Sequence, residues 1–344
     1  MTQLPQDPNI SISKLTSVFK STSATYKFYW FWSILQSIEE GKKVIEKKEI
    51  FARMITLAWY TVNYFHISFG KQDLIQSAIL EIKDLENLAV DTNQNIILST
   101  LLKTTNPRTL SILNHFNNNV PHKFLSPWLG SGARTNIYEL SSDESFNTPY
   151  LLYNDSIKIS NSWWQYFNRN SGILKTFCYW NLTMFLQSRN PNVPDIPNKI
   201  HRPITRGSLN KHKIKFWDLV IKEYGAIECI YTGDSLNIGN YVIEHFIPYQ
   251  FVAHDLMWNL IPANSNFNSK KSDKLPNFDI YFDSFFEIQK IGIDIIKRNA
   301  PKNRFLEDYL PIFPDLTINK NKFEEHIKPM LSIAHNNGFQ YLQS

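Results

Sequence analysis

Residues 224–276 read YGAIECIYTGDSLNIGNYVIEHFIPYQFVAHDLMWNLIPANSNFNSKKSDKLP. Two short stretches of strand-forming residues, Ile227–Tyr231 and Tyr241–His245, flank Thr232–Asn240, where Gly233 and Gly239 signal a turn. Pro248 marks a loop over Phe246–Val252. His254–Trp258 and Asn259–Pro262 then lead to Asn264–Asn268, whose amide side chains suit a helix cap. A helix is predicted from about Ser269, ending before Pro276. At the end of the second strand an acid and an imidazole are adjacent, Glu244 and His245. Strand alternation sends them to opposite sides.

Around this segment lies a chain of 344 residues, long enough for one large or two modest domains. Hydrophobic residues make up 43% and aromatics 14%, which excludes a disordered or low-complexity chain. No apolar run approaches the ~18 residues of a membrane span. The opening MTQLPQDPNISISK lacks the basic-then-apolar order of a secretory signal. Two cysteines, Cys178 and Cys229, make neither a disulfide framework nor a four-cysteine zinc site. A reducing, cytoplasmic setting is expected.

The first 197 residues are expected to be mainly helical. Apolar spacing predicts helices from Ala24 to Gly41, over Lys48–Tyr64 and over Lys71–Leu88, with a shorter one at Asn95–Lys103. Residues 104–133 are mixed, and Asn136–Ile159 has strand and turn signals. Ser162–Gln187 is again helical and rich in aromatics, which read as core. Pro191, Pro194, Pro197 and Pro203 then break the pattern and mark a boundary. Further helices are expected over Lys211–Tyr224, Ile280–Arg298 and Lys322–His335. The class is α+β: a helical module over 1–197, a compact core with a basic lead-in over 198–276, and a C-terminal helical extension over 277–344.

The net charge is only +5, yet it is unevenly spread. Between Lys199 and Lys222 stand Arg202, Arg206, Lys211, Lys213 and Lys215 with a single acid, Asp218. Lys270, Lys271 and Lys274 form a second cluster. Such local excess is a footprint for phosphate binding, or else a solvated helix face.

The pattern Glu244-His245-Phe246-Ile247-Pro248, Trp258-Asn259-Leu260 and Asn266-Phe267-Asn268-Ser269-Lys270-Lys271-Ser272 resembles the ββα-metal core of the HNH endonuclease family, including restriction- and defence-type members. The resemblance covers about 50–70 residues. Taken singly, Glu244 reads as an exposed acid, His245 as a satisfied core histidine, and the two asparagines as loop and cap residues. Taken together, the resemblance implies metal-dependent hydrolysis of phosphodiester bonds. It makes Glu244 and Asn268 ligands of Mg²⁺ (or Mn²⁺), a hard cation that prefers oxygen. It makes His245 the general base, since a neutral imidazole is available near pH 7. Asn259 would tie the loop ends together, and Lys271 would reach a substrate phosphate. Arg202, Arg206, Lys211, Lys213, Lys215 and Lys270 would bind nucleic acid. His254 and Asp255 read as capping or surface residues, with an auxiliary-ligand role as the alternative. Glu244 stands where many family members carry Asp. Cys229 stands alone where relatives have paired cysteines, so no structural zinc is expected.

The expected partner is DNA, preferred over RNA by analogy. A homodimer or a defence-system partner subunit stays open. The rival readings are a catalytically silent HNH fold that only binds nucleic acid, and a ligand-gated one in which an N-terminal sensor controls the nuclease.

Overall fold

The computed structural model describes residues 4–130, 136–201 and 207–343. The chain divides into two compact units, 1–191 with 199–202, and 192–198 with 203–344.

The N-terminal unit is built on one helix that is apolar nearly all round. In Tyr26–Glu39 every side chain from Phe28 to Leu35 is buried. A helix with no polar face must be enclosed by others, and this one packs against Lys47–Asn63 and Asn161–Arg189. Trp30, Phe31, Trp59 and Trp163 are among the fully buried side chains. Each such side chain contributes on the order of 1.5–3 kcal/mol through burial. A small antiparallel sheet in the order β1-β3-β2 closes the unit, with β1 at Val44–Glu46, β2 at Tyr150–Leu152 and β3 at Ser156–Ile159. β1 was not legible in the sequence, because three residues with one buried side chain, Ile45, are too short a run to reveal a period. The mixed stretch after Thr104 folds into short helices, including Pro107–His115 and Val120–Phe124, and in Asn136–Ile159, expected to hold strands, a helix at Ile137–Ser142 precedes β2 and β3.

Among the described residues the C-terminal unit is α+β, with two two-stranded sheets and long helices. The two strand-like stretches of the sequence do not pair with each other. β4 (Ile227–Glu228) pairs with β5 (Ser235–Leu236), inside the segment expected to be only a turn. β6 (Val242–His245) pairs antiparallel with β7 (Leu260–Ala263), with Glu244 opposite Ile261 and His245 opposite Leu260. The following helix is Ser265–Lys271 and begins four residues earlier than expected. Asn264 is its cap: the side-chain oxygen accepts the amides of Asn266 (2.8 Å) and Phe267 (3.1 Å).

The helix Phe278–Asn299 is the unit's backbone support. It packs against β7 and the helical run that ends at Tyr224. In that run Lys213–Trp217 winds as a π-turn, with Phe216 and Trp217 buried. Gly292 makes the packing possible. A Cβ there would stand 3.0 Å from Phe216 Cε1 and 3.3 Å from Trp217 Cη2. Among the described residues no helix is long and apolar enough to cross a membrane.

Candidate active site

Strand β6 ends at His245, and the chain then loops away before returning as β7. A loop of this length is held only if its backbone groups find partners. Asn259 supplies them. Its Oδ1 accepts the Ile247 amide (2.8 Å), and its Nδ2 donates to the Ile247 carbonyl (2.8 Å). Its own carbonyl accepts the Phe246 amide (2.9 Å). The side chain is fully buried. One residue therefore ties both ends of the loop.

The clamp is in turn held from the Phe278–Asn299 helix and the helical turn Arg304–Tyr309. Gln289 Nε2 donates to the carbonyls of Leu260 (2.9 Å) and Met257 (3.3 Å), and its Oε1 accepts the Tyr309 hydroxyl (2.5 Å). Asp308 accepts the Met257 amide at 3.0 Å. Phe246 stacks face to face on Phe285, with centroids 3.9 Å apart. Gln289, Asp308 and Tyr309 carried no signal in the sequence, since they lie 30–50 positions from the loop they support.

Glu244, His245 and Asn268 line one open cleft of about 570 Å³. Glu244 and His245 are each only 5% exposed. Asn268, half-buried on the Ser265–Lys271 helix, faces the same space. The cleft is also lined by Lys213, whose Nζ donates to the Tyr241 carbonyl (2.6 Å) and lies over the Tyr241 ring. The Tyr241 hydroxyl faces Asp218 at 2.6 Å. Burial, reinforced by that carboxylate, pushes the phenol well above its usual range.

The His245 ring is set by a residue that the sequence reading assigned to a surface or capping role. His245 Nε2 lies 2.9 Å from Asp255 Oδ1. A carboxylate can only accept, so Nε2 carries the proton that faces Asp255. Asp255 comes to the ring because Ala253 adopts a left-handed conformation (φ 58°) and ends the short helix Tyr249–Val252. His254 accepts the Leu256 amide at 3.4 Å and meets the edge of Trp258.

Lys271 departs from the expectation that it reaches a substrate phosphate. Its side chain is fully buried. Nζ is in ion-pair contact with Glu244 Oε1 and donates to the His245 carbonyl at 2.9 Å. The contact with Oε1 is close but lies off the axis of a hydrogen bond, so it is an electrostatic contact. The early start of the helix is the reason: it brings the end of the helix, and Lys271 with it, against β6. The ammonium thus holds the strand end that carries Glu244 and His245.

Lys211, Lys215 and Lys270 are exposed. Of the expected phosphate-binding lysines, Lys213 is the one that lines the cleft. Arg202 and Arg206 lie outside the described residues.

Among the described residues no group of three His, Cys, Asp or Glu is gathered as a metal site. The donors present still suit one kind of ion. Glu244 and the Asn268 amide line the same cleft, with Glu244 Oε1 also facing the Lys271 ammonium. Two oxygen donors beside open space fit a hard divalent cation that keeps most of its own water.

Residues 229–277 match the family model described as HNH endonuclease. No curated protein and no solved structure matches the chain. The matched stretch runs from Cys229 to Asn277 and holds β5, β6, the clamped loop, β7 and the Ser265–Lys271 helix. HNH nucleases generally use divalent metal ions, and a domain of this family implies DNA as the substrate.

Proposed function

With an HNH endonuclease-family domain at residues 229–277, we propose that this protein is a divalent-metal-dependent endonuclease that hydrolyses phosphodiester bonds of DNA. The observation that carries the proposal is the convergence of Glu244, His245 and Asn268 on one cleft, at the end of a strand held by Asn259.

Glu244 and Asn268 are the residues that would hold Mg²⁺ or Mn²⁺. Bound there, the ion supplies Lewis-acid stabilisation of charge on the phosphoryl and leaving oxygens. His245 is the general base that takes a proton from the attacking water, its ring held by Asp255 at Nε2. Lys271 offsets the charge of Glu244 and fixes the strand end through the His245 carbonyl. Lys213 at the cleft, with exposed Lys211, Lys215 and Lys270, contributes positive charge that attracts and positions the DNA backbone. One such centre cuts one strand, so a monomer nicks, and a double-strand break takes two copies or two events. The helical N-terminal unit is assigned to target recognition or regulation, as in a restriction- or defence-type enzyme of prokaryotes.

A second reading has its own supporting observation. The Lys271 ammonium already faces the carboxylate that would bind a metal, as in a fold that binds nucleic acid without cutting it.

A plasmid assay separates the two. Wild type in Mg²⁺ or Mn²⁺ is expected to nick supercoiled DNA. EDTA abolishes the activity, and His245→Ala lowers it by about 10²–10⁴-fold. Equal cleavage by wild type and His245→Ala would refute the assignment of the base. Absence of cleavage in every condition, with DNA still bound, would establish the silent reading.

A further inference from the structure

The N-terminal unit contains a cavity of about 630 Å³ that the nuclease chemistry does not use. This volume lies in the range of pockets for small molecules. Two lysines border it, Lys27 on the first turn of the Tyr26–Glu39 helix and Lys123 near the end of Val120–Phe124. Hydroxyls and amides complete its polar side, among them Thr22, Ser23 and Asn119. Among the described residues that line it, none is acidic. The nearby carboxylate of Asp73 is turned away, into the backbone amides of Thr25 (2.5 Å) and Ile75 (2.9 Å).

Lys27 is held in place by neutral groups. Its Nζ donates to the carbonyls of Val18 (3.0 Å) and Ser21 (3.3 Å). Carbonyls orient an ammonium without cancelling its charge. Burial, and then the like charge of Lys123, hold Lys27 below the usual lysine range. Two like charges border a cavity whose described lining holds no carboxylate, an arrangement that an anion would complete. The remaining wall is apolar and includes Val120 and Leu74.

We propose that this cavity binds a phosphorylated small molecule of nucleotide size. Lys27 and Lys123 take the phosphate oxygens, the hydroxyls and amides complete their hydrogen bonding, and the apolar wall covers the organic body. The site belongs to the N-terminal unit and stands independently of the chemistry of the C-terminal cleft.

Isothermal titration calorimetry on the full chain tests this with ATP and with inorganic pyrophosphate. ATP is expected to bind at micromolar concentration, with pyrophosphate at least tenfold weaker because it lacks the organic body. Lys123→Glu should weaken ATP at least tenfold, and its exposed side chain makes misfolding an improbable cause, which circular dichroism checks. Lys158→Glu, at an exposed site on β3, should leave ATP binding unchanged. A short DNA duplex should not displace ATP. The proposal is overturned if ATP fails to bind at millimolar concentration, if both charge reversals weaken it equally, if pyrophosphate binds as well as ATP, or if the duplex displaces it.

Discussion

Asn259→Ala tests the clamp on which the candidate active site depends. The substitution removes the acceptor of the Ile247 amide and the donor to the Ile247 carbonyl, both 2.8 Å contacts. Asn259 is fully buried, and Ile247 is also buried, so water cannot readily replace the lost partners. Each buried group left without a partner costs about 1–3 kcal/mol, and two groups give about 2–6 kcal/mol. For a unit of roughly 150 residues, each kcal/mol lowers the melting temperature by about 2–4 °C. A fall of at least about 4 °C is therefore expected. Asn259→Asp keeps the acceptor for the Ile247 amide but loses the donor and buries a charge, so it should be no milder. Urea unfolding gives the free energies, and hydrogen exchange of peptides spanning residues 241–263 locates the loss. A stability within about 0.5 kcal/mol of wild type, with unchanged exchange in that segment, would refute the clamp.

Lys271→Met leaves the Glu244 carboxylate buried and unpaired; urea unfolding should show a loss of about 3–5 kcal/mol, with more than half recovered in the Glu244→Gln/Lys271→Met double variant. An exposed lysine would show neither effect. Asp255→Asn should lower kcat for plasmid nicking by a substantial part of the ~10²–10⁴-fold that acid–base catalysis contributes, with KM little changed. A change in KM alone would show that Asp255 acts on binding. His201, His212 and His326 are each held below the usual histidine range by burial. Burial favours their neutral form in the folded state, so the stability they contribute is present above pH ~6.5 and is lost as pH falls toward their lowered folded values. His326, edge-on to Trp258 at 4.8 Å, is the simplest to test. His326→Phe should flatten the loss of melting temperature between pH 7 and 5, and an unaltered slope would exclude it as a contributor.

Much of the site was legible because its residues are close in the chain. Glu244 and His245 are neighbours, and Asn259 and Asn268 follow within 24 positions, so one short segment carried the family pattern. The helices of the N-terminal unit were equally legible, since long apolar runs such as Phe28–Leu35 can only be buried. Strand pairing was not. Alternation identifies a strand but not its partner, and β6 pairs with the Leu260–Ala263 segment, which had read only as a lead-in to the helix.

The roles of two charged side chains were decided by the tertiary structure. Asp255 had read as a surface residue, because nothing in ten residues of separation reveals that Ala253 turns the chain back on His245. Lys271 had read as a phosphate ligand, because spacing shows which residues share a helix face but not what that face meets. A helix starting at Ser265 presses Lys271 against β6 and gives its charge to Glu244. The sequence by itself determined which chemical groups are present and their local order. The packing of the Phe278–Asn299 helix, with Gln289 on the loop carbonyls, decided which of those groups face the cleft and which are bound within the core. Burial and charge pairing are properties of neighbours in space, and a linear pattern does not contain them.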